Sequence, residues 1–182
     1  MNVRRKVKKA KEGDKEALLQ LILDEKDAYY RLARMYMGNS HDAMDAMQDM
    51  IVTVYEKIEQ LKKENAFYSW SKTILVNECK TMLRKRNKVT PLDWRDSVEE
   101  SFERATERSA QPQLQAEQQL EIEALLRHVN EHQKEAIQLR YFHDLDYETI
   151  AEMMDVSLGT VKSRIHQGLK KLRDRFGRDG DA

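Results

Sequence analysis

Seven residues near the C-terminal end, Gly159, Thr160, Lys162, Ser163, His166, Gln167 and Lys170, share the outer side of one predicted helix. They offer an open backbone, two hydroxyls, an imidazole, a carboxamide and two ammonium groups. Such groups suit phosphate oxygens and base edges better than bond-making chemistry. Their setting is DYETIAEMMDVSLGTVKSRIHQGLKK, Asp146 to Lys171. There Ile150, Met154, Val156, Val161 and Ile165 are spaced by four, two, five and four. Steps of four keep one helical face, and the change to two and five marks a corner between two helices. Ala151 allows close approach, Asp155 tolerates a left-handed turn, and Ser157 caps the second helix. The pattern is a helix-turn-helix whose outer face enters a major groove. An ordinary helical hairpin with a polar face is the plainer alternative.

A second constellation lies over residues 66–86. Phe67, Tyr68 and Trp70 open a predicted helix, Asn77 lies mid-way, and Lys80, Arg84, Lys85 and Arg86 close it. Aromatic faces stack on unpaired bases at ~1–3 kcal/mol per base while cations follow the phosphates. Asn77 can donate and accept toward a base edge. Phe67 and Ile74 read as core, whereas Tyr68, Trp70 and Asn77 fit either core or a binding surface.

Both constellations need helices to carry them. The chain has 182 residues, 40% hydrophobic and 35% charged, with 6 Gly and 2 Pro. That composition, without sustained period-two alternation, predicts an all-α fold. Both prolines, Pro91 and Pro112, fall in one polar window. This divides the chain into a domain at 1–88, a linker at 89–115 and a helix-turn-helix domain at 116–182. Local helix is expected at 97–108.

In the first domain a helix is expected from Ala17 to Met37, with Leu18, Ile22, Tyr29, Leu32 and Tyr36 on one stripe and Gly38-Asn39-Ser40 stopping it. A second, from about 41 to 61, would bury Met44, Met47, Ile51, Val54, Ile58 and Leu61. Its other face carries Asp42, Asp45, Gln48, Asp49 and Glu56. After a polar loop at 62–65 comes the helix at 66–86. The second domain is expected to begin with a helix bearing Leu120, Leu125 and Val129, followed by one over Lys134 to Phe142.

The zero net charge conceals segregation. Residues 1–11 hold six Lys or Arg and no acid; residues 78–88 carry +4 and residues 158–178 carry +6, whereas 92–123 carry −6. Two basic surfaces flanking a flexible acidic linker suggest two sites on one polyanion. The lone Cys79 excludes an internal disulfide and suits a reducing compartment. No apolar run approaches the ~18 residues of a membrane span, and no secretory signal is visible. His128, Glu131 and His132 match an inverted zinc-protease pattern, but a helix break at Asn130 would separate the two histidines. No Gly-rich phosphate loop is present, so nucleotide hydrolysis is unsupported.

Two blocks resemble the bacterial sigma factors of the extracytoplasmic-function group. HDAMDAMQDMIVTVYEKI with AFYSWSKTILVNECKTMLRKR is similar to domain two of that family. LRYFHDLDYETIAEMMDVSLGTVKSRIHQGLKKLR is similar to domain four. The resemblance covers nearly the whole chain. It implies a factor without enzymatic activity, cofactor or small-molecule substrate, working in the cytoplasm with core RNA polymerase, promoter DNA and an anti-sigma factor. Asp45, Gln48 and Asp49 match the acidic stretch that contacts the clamp helices of the largest catalytic polymerase subunit. The loop 62–66 and Asn77 match positions that hold a flipped-out base of the melted −10 strand, and Arg84, Lys85 and Arg86 would hold backbone phosphates; Tyr68, Trp70 and Lys80 of the same aromatic-basic helix complete the expected −10 surface. Gly159 and Thr160 would set a helix N-terminus against a phosphate. Lys162, Ser163, His166 and Gln167 would face base edges of the −35 element. The acidic linker resembles the connector that threads through the polymerase. Ala46-Met47 departs from the family's usual pair before its Gln. His166 and Gln167 stand where Arg or an aromatic is common, which bears on promoter preference. A stand-alone helix-turn-helix regulator is the rival reading, but it would not need the aromatic-basic helix or the acidic linker.

Overall fold

The structure, a computed structural model, describes residues 2–89 and 121–177. The 90–115 part of the expected linker, the expected helix at 97–108 and Leu120 lie outside the described residues. The chain divides into two compact units, Met1–Glu107 and Arg108–Ala182. Among the described residues every regular element is helical.

Unit one holds α1 (Val3–Lys11), α2 (Lys15–Asp24), α3 (Lys26–Met37), α4 (Ser40–Lys57) and α5 (Phe67–Val89), with single 3-10 turns at Ile58–Gln60 and Glu64–Ala66. The helix expected over Ala17–Met37 is two helices. Glu25 breaks them with φ −120° and ψ 16°, and its carboxylate accepts from Lys72 Nζ at 3.0 Å. The anticipated stop is real: Gly38 takes the left-handed conformation at φ 77°, and the Asn39 side chain caps α4 through the Asp42 amide at 2.9 Å. α4 packs against α3 and α5. Its buried residues are Ala43, Ala46, Met47, Met50 and Val54. The helix is therefore rotated from the expected stripe, and Met44 and Ile51 face solvent. The two alanines let the helix axes approach, which larger side chains would prevent. Tyr29, fully buried, meets the Ser71 hydroxyl at 2.7 Å, and Ser71 donates to the Phe67 carbonyl. That chain of bonds satisfies the polar atoms under α5.

Unit two holds a helical segment at 121–126, then α6 (Glu131–Tyr141), α7 (Tyr147–Met154) and α8 (Leu158–Phe176). α8 packs on both α6 and α7. Asn130 caps α6 with a reciprocal bond to Gln133. The helix therefore starts three residues before the expected Lys134. Leu126 and Val129 are buried, while Leu125 is exposed. In α7 Ile150 is fully buried as expected, but its core partner is Met153, 1% exposed, and the expected Met154 is half-buried.

Candidate nucleic-acid interface

The turn between α7 and α8 behaves as its residues require. Asp146 caps α7 by accepting from the Thr149 amide at 2.8 Å. Partial burial opposes ionisation of Asp146, but hydrogen bonds from Thr149 outweigh it and hold the carboxyl below its usual range. Asp155 ends α7 in the left-handed region at φ 52° and ψ 50°. Ser157 caps α8, accepting from the Thr160 amide at 3.1 Å, and its hydroxyl lies 2.8 Å from that of Thr160.

α8 carries two opposed stripes. Val161, Ile165 and Gly168 are buried. Gly159, Lys162, Ser163, His166, Gln167 and Lys170 are exposed and Thr160 is half-buried, so the seven residues share the outward side as anticipated. Gln167 donates to the Ser163 hydroxyl at 3.1 Å. Lys162 and Arg140 both approach the Tyr147 ring, at 5.9 and 5.2 Å from its centroid. That contact anchors Lys162 at the edge of the surface, a brace the sequence pattern did not reveal. Gly168 has a different role: a Cβ there would lie 2.7 Å from Ile137 Cδ1. It marks the closest approach of α8 to α6. Beside it lies an apolar groove lined by Leu125, Tyr141, Phe142 and Leu169, all exposed.

In unit one the second constellation divides. Phe67 is fully buried, as expected, and Ile74 is half-buried. Tyr68 and Trp70 are half-buried against Phe67, with ring centroids 5.4 and 6.2 Å away. Burial, then the neighbouring Asp24 and Glu25, pushes the Tyr68 hydroxyl up to about 12. Tyr68 is thus partly committed to its own fold. Asn77, Arg84, Lys85 and Arg86 are exposed. Arg86 pairs with Asp42 at 2.8 Å, and Arg84 bonds to Thr81 within its own helix. Lys80 lies 5.9 Å from the Tyr36 ring centroid.

On α4, Gln48 and Asp49 are exposed and Asp45 is half-buried. Beside them stand Met44, Ile51, Val52 and Tyr55, an exposed apolar stripe. The sequence-based expectation puts Met44 and Ile51 inside and so misses it; the spacing 44, 51, 52, 55 is the available signal. His41, Asp42 and Asp45 each place a ligand atom within 4.8 Å of the others. Asp42 already serves Asn39 and Arg86. His128 precedes the Asn130 cap of α6, so it does not share a helical face with His132, and its ring lies 5.4 Å from that of Phe176, tilted by 56°.

Two family models match the chain, Sigma-70 region 2 over residues 21–89 and Sigma-70 region 4 over residues 119–172. The chain is 31% identical to the RNA polymerase sigma factor SigV of Bacillus subtilis (strain 168), across 91% of this chain and 94% of that one. The chain belongs to the extracytoplasmic-function sigma factors of RNA polymerase. It is also 26% identical, over 97% of both chains, to the sigma factor of this group SigW from the same organism. A solved structure of the sigma factor RpoE with the anti-sigma factor NepR from Bartonella quintana shares the fold. Its TM-score is 0.62 at 22% identity, covering 85% of this chain and 93% of that one. The region 2 match contains α3, α4 and α5; the region 4 match contains the whole turn and the outward surface of α8 up to Lys170. The protein is therefore a transcription initiation factor. Among the described residues no helix is long and apolar enough to cross a membrane.

Proposed function

We propose that this sigma factor reads duplex −35 DNA with α8 and holds melted −10 bases with the 62–66 turn and α5. The observation that carries the reading is α8 itself: its polar stripe faces solvent while its apolar stripe is fixed to α6 and α7. Gly159 and Thr160 set the helix N-terminus on a phosphate, and Lys162, Ser163, His166 and Gln167 meet base edges. Lys170 adds a phosphate contact. In unit one Asn77 and Trp70 receive unpaired bases, with Tyr68 as an edge of that pocket. Lys80, Arg84, Lys85 and Arg86 follow the strand. Arg86 must exchange Asp42 for a phosphate, so it contributes least.

The α4 face docks on core polymerase. Asp45, Gln48 and Asp49 supply polar contacts to the clamp helices of the largest catalytic subunit, and Met44, Ile51, Val52 and Tyr55 supply buried apolar area. An anti-sigma factor is the second protein partner, as it is for the RpoE of similar fold. The protein acts in the cytoplasm through residues 1–88 and 116–182, joined by 89–115, and catalyses no reaction of its own.

The test is promoter-specific transcription by the purified chain with core polymerase and genomic DNA, with transcripts sequenced. Lys162→Ala and Gln167→Ala should each reduce discrimination against −35 mutants by about tenfold, since one good base contact is worth ~1–3 kcal/mol, and leave polymerase binding intact. Asp49→Arg should lose polymerase while keeping its fold. Normal −35 discrimination in both α8 variants would remove the facing assignment. Unchanged core affinity of Asp49→Arg would remove the α4 assignment.

A further inference from the structure

Helix α1 lies outside the region 2 match, which begins at residue 21. It is nonetheless held in place at two points. Lys6, only 8% exposed, pairs with Asp24 at the end of α2. Lys11 donates to the Leu61 carbonyl and lies 3.9 Å from the Glu64 carboxylate. Val7 and Ala10 are buried between these anchors. Burying a lysine ammonium is costly unless it is paired, so this helix is fixed with a definite side outward.

Arg4, Lys8 and Lys11 recur at steps of four and three, which puts them on one flank. That flank faces the 61–65 turn. The Glu64 carboxyl is held below its usual range, first by its own backbone amide and then by Lys11, Lys8 and Arg4. Lys62 and Lys63 are exposed on the same turn. Among the described residues no acid lies within ion-pairing distance of Arg4, Arg5, Lys8 or Lys9. The acids that pair with α1, Asp24 and Glu64, are taken by Lys6 and Lys11, while Glu12 and Asp14 follow at its C-terminal end. The outcome is a cationic ledge bordering the turn proposed above to hold unpaired bases.

We propose that α1 and Lys62-Lys63 form one surface that binds the phosphodiester backbone of promoter DNA beside the base-holding turn. It rests on the −10 assignment above and adds a phosphate site at the opposite end of α5 from Arg84, Lys85 and Arg86. A protein surface would be expected to meet α1 with apolar contacts as well. The outward flank of α1 offers ammonium and guanidinium groups alone, as a polyanion requires.

The experiment uses holoenzyme made from the full chain and core polymerase, with a promoter fragment identified by the transcript mapping. Arg4→Gln with Lys8→Gln removes two exposed charges that make no side-chain hydrogen bond among the described residues. Thermal melting of the variant should match the parent. The plot of log affinity against log salt should become shallower by about 1.4–1.8, for two lost phosphate contacts at 0.7–0.9 each. The affinity loss should be equal on fragments with intact and mutated −35 elements. Lys62→Gln with Lys63→Gln should give a similar change. An unaltered slope in both pairs overturns the proposal. So does loss of core-polymerase affinity without DNA, which would make α1 a protein contact. The −10 assignment fails separately, if Asn77→Ala leaves discrimination against −10 mutants untouched.

Discussion

Gly168 is the position where a single methyl group tests the packing behind the reading surface. A Cβ at 168 would lie 2.7 Å from Ile137 Cδ1 and 3.2 Å from Gln133 Cβ. Ile137 is 4% exposed and packed with Leu126 and Val129, so any shift of its Cδ1 must go toward the apolar groove it lines and disturb that packing. Gln133 is also tied down, accepting from Lys171 at 3.3 Å and bonding back to the α6 cap. Alanine gains ~1 kcal/mol of helix propensity over glycine, while overpacking costs typically ~1–3 kcal/mol. The net expectation for Gly168→Ala is a loss of about 0–2 kcal/mol. Gly168→Val presses two more methyl groups on the same wall and should lose about 3 kcal/mol or more. Hydrogen exchange on the full chain reads each unit separately. Every kcal/mol lost raises exchange of globally protected amides about fivefold. Peptides over 131–176 should exchange faster in the valine variant, and those over α3 to α5 should not change. Duplex DNA binding should weaken as temperature rises, through loss of folded α8 rather than of any contact. Unchanged or increased protection of α6 and α8 in Gly168→Val would refute the close-approach argument.

Two further outcomes are expected. Cys79 is fully buried, and burial pushes its thiol up to about 12; alkylation at pH 8 should be slower than in unfolded protein by at least on the order of a thousandfold, as followed by mass spectrometry. Comparable rates would show that α5 opens readily. The Asp146 carboxyl is depressed in the folded state, so its cap contributes stability above its unfolded pKa of ~3.9, and that share is lost as pH falls through the folded value. Asp146→Asn keeps a capping oxygen without titrating and should flatten that acid limb for unit two; identical acid limbs in both proteins would dismiss the role.

Much of the α7–α8 turn was legible because each residue there has a local reason. Asp155 tolerates a left-handed backbone, Ser157 supplies a cap oxygen, and the outward polar stripe follows from the spacing of Val161 and Ile165. The failures share a different cause. No Gly or Pro marks the break at Glu25, and the apolar stripe runs through it at helical spacing. The break shows in tertiary contacts, through Lys72 of α5. Residues 3–11 carry no helix expectation from the sequence although Val3, Val7 and Ala10 stand at helical steps, because the run of lysines and arginines masks them. α4 carries two apolar stripes, and hydropathy alone does not say which one faces in. The face with small residues is the one that turns inward: Ala43 and Ala46 stand beside the buried Met47, Met50 and Val54, whereas Met44 and Ile51 lie on the other stripe. The Lys80–Tyr36 contact joins elements distant in sequence, and the Lys162–Tyr147 contact crosses the turn between two helices, so neither has a signature within one helix.

The same crowding argument separates stability from recognition along α8. Buried positions 161, 165 and 168 and outward positions 159, 162, 163, 166, 167 and 170 interleave within twelve residues. Changing the inward set alters how α8 sits on α6 and α7, and so shifts every outward contact together. Changing one outward residue leaves the packing intact and alters one contact. Lys162 is the intermediate case, since its ammonium approaches Tyr147 while its position faces outward. Removing Tyr147 with Tyr147→Ala would therefore free Lys162 and Arg140 together. A cation released from its ring costs entropy to reorder on DNA, so a loss of −35 affinity can arise from a residue that reads no base. If α8 reads the −35 element as proposed, promoter choice depends on the bracing of α8 as well as on the side chains it presents.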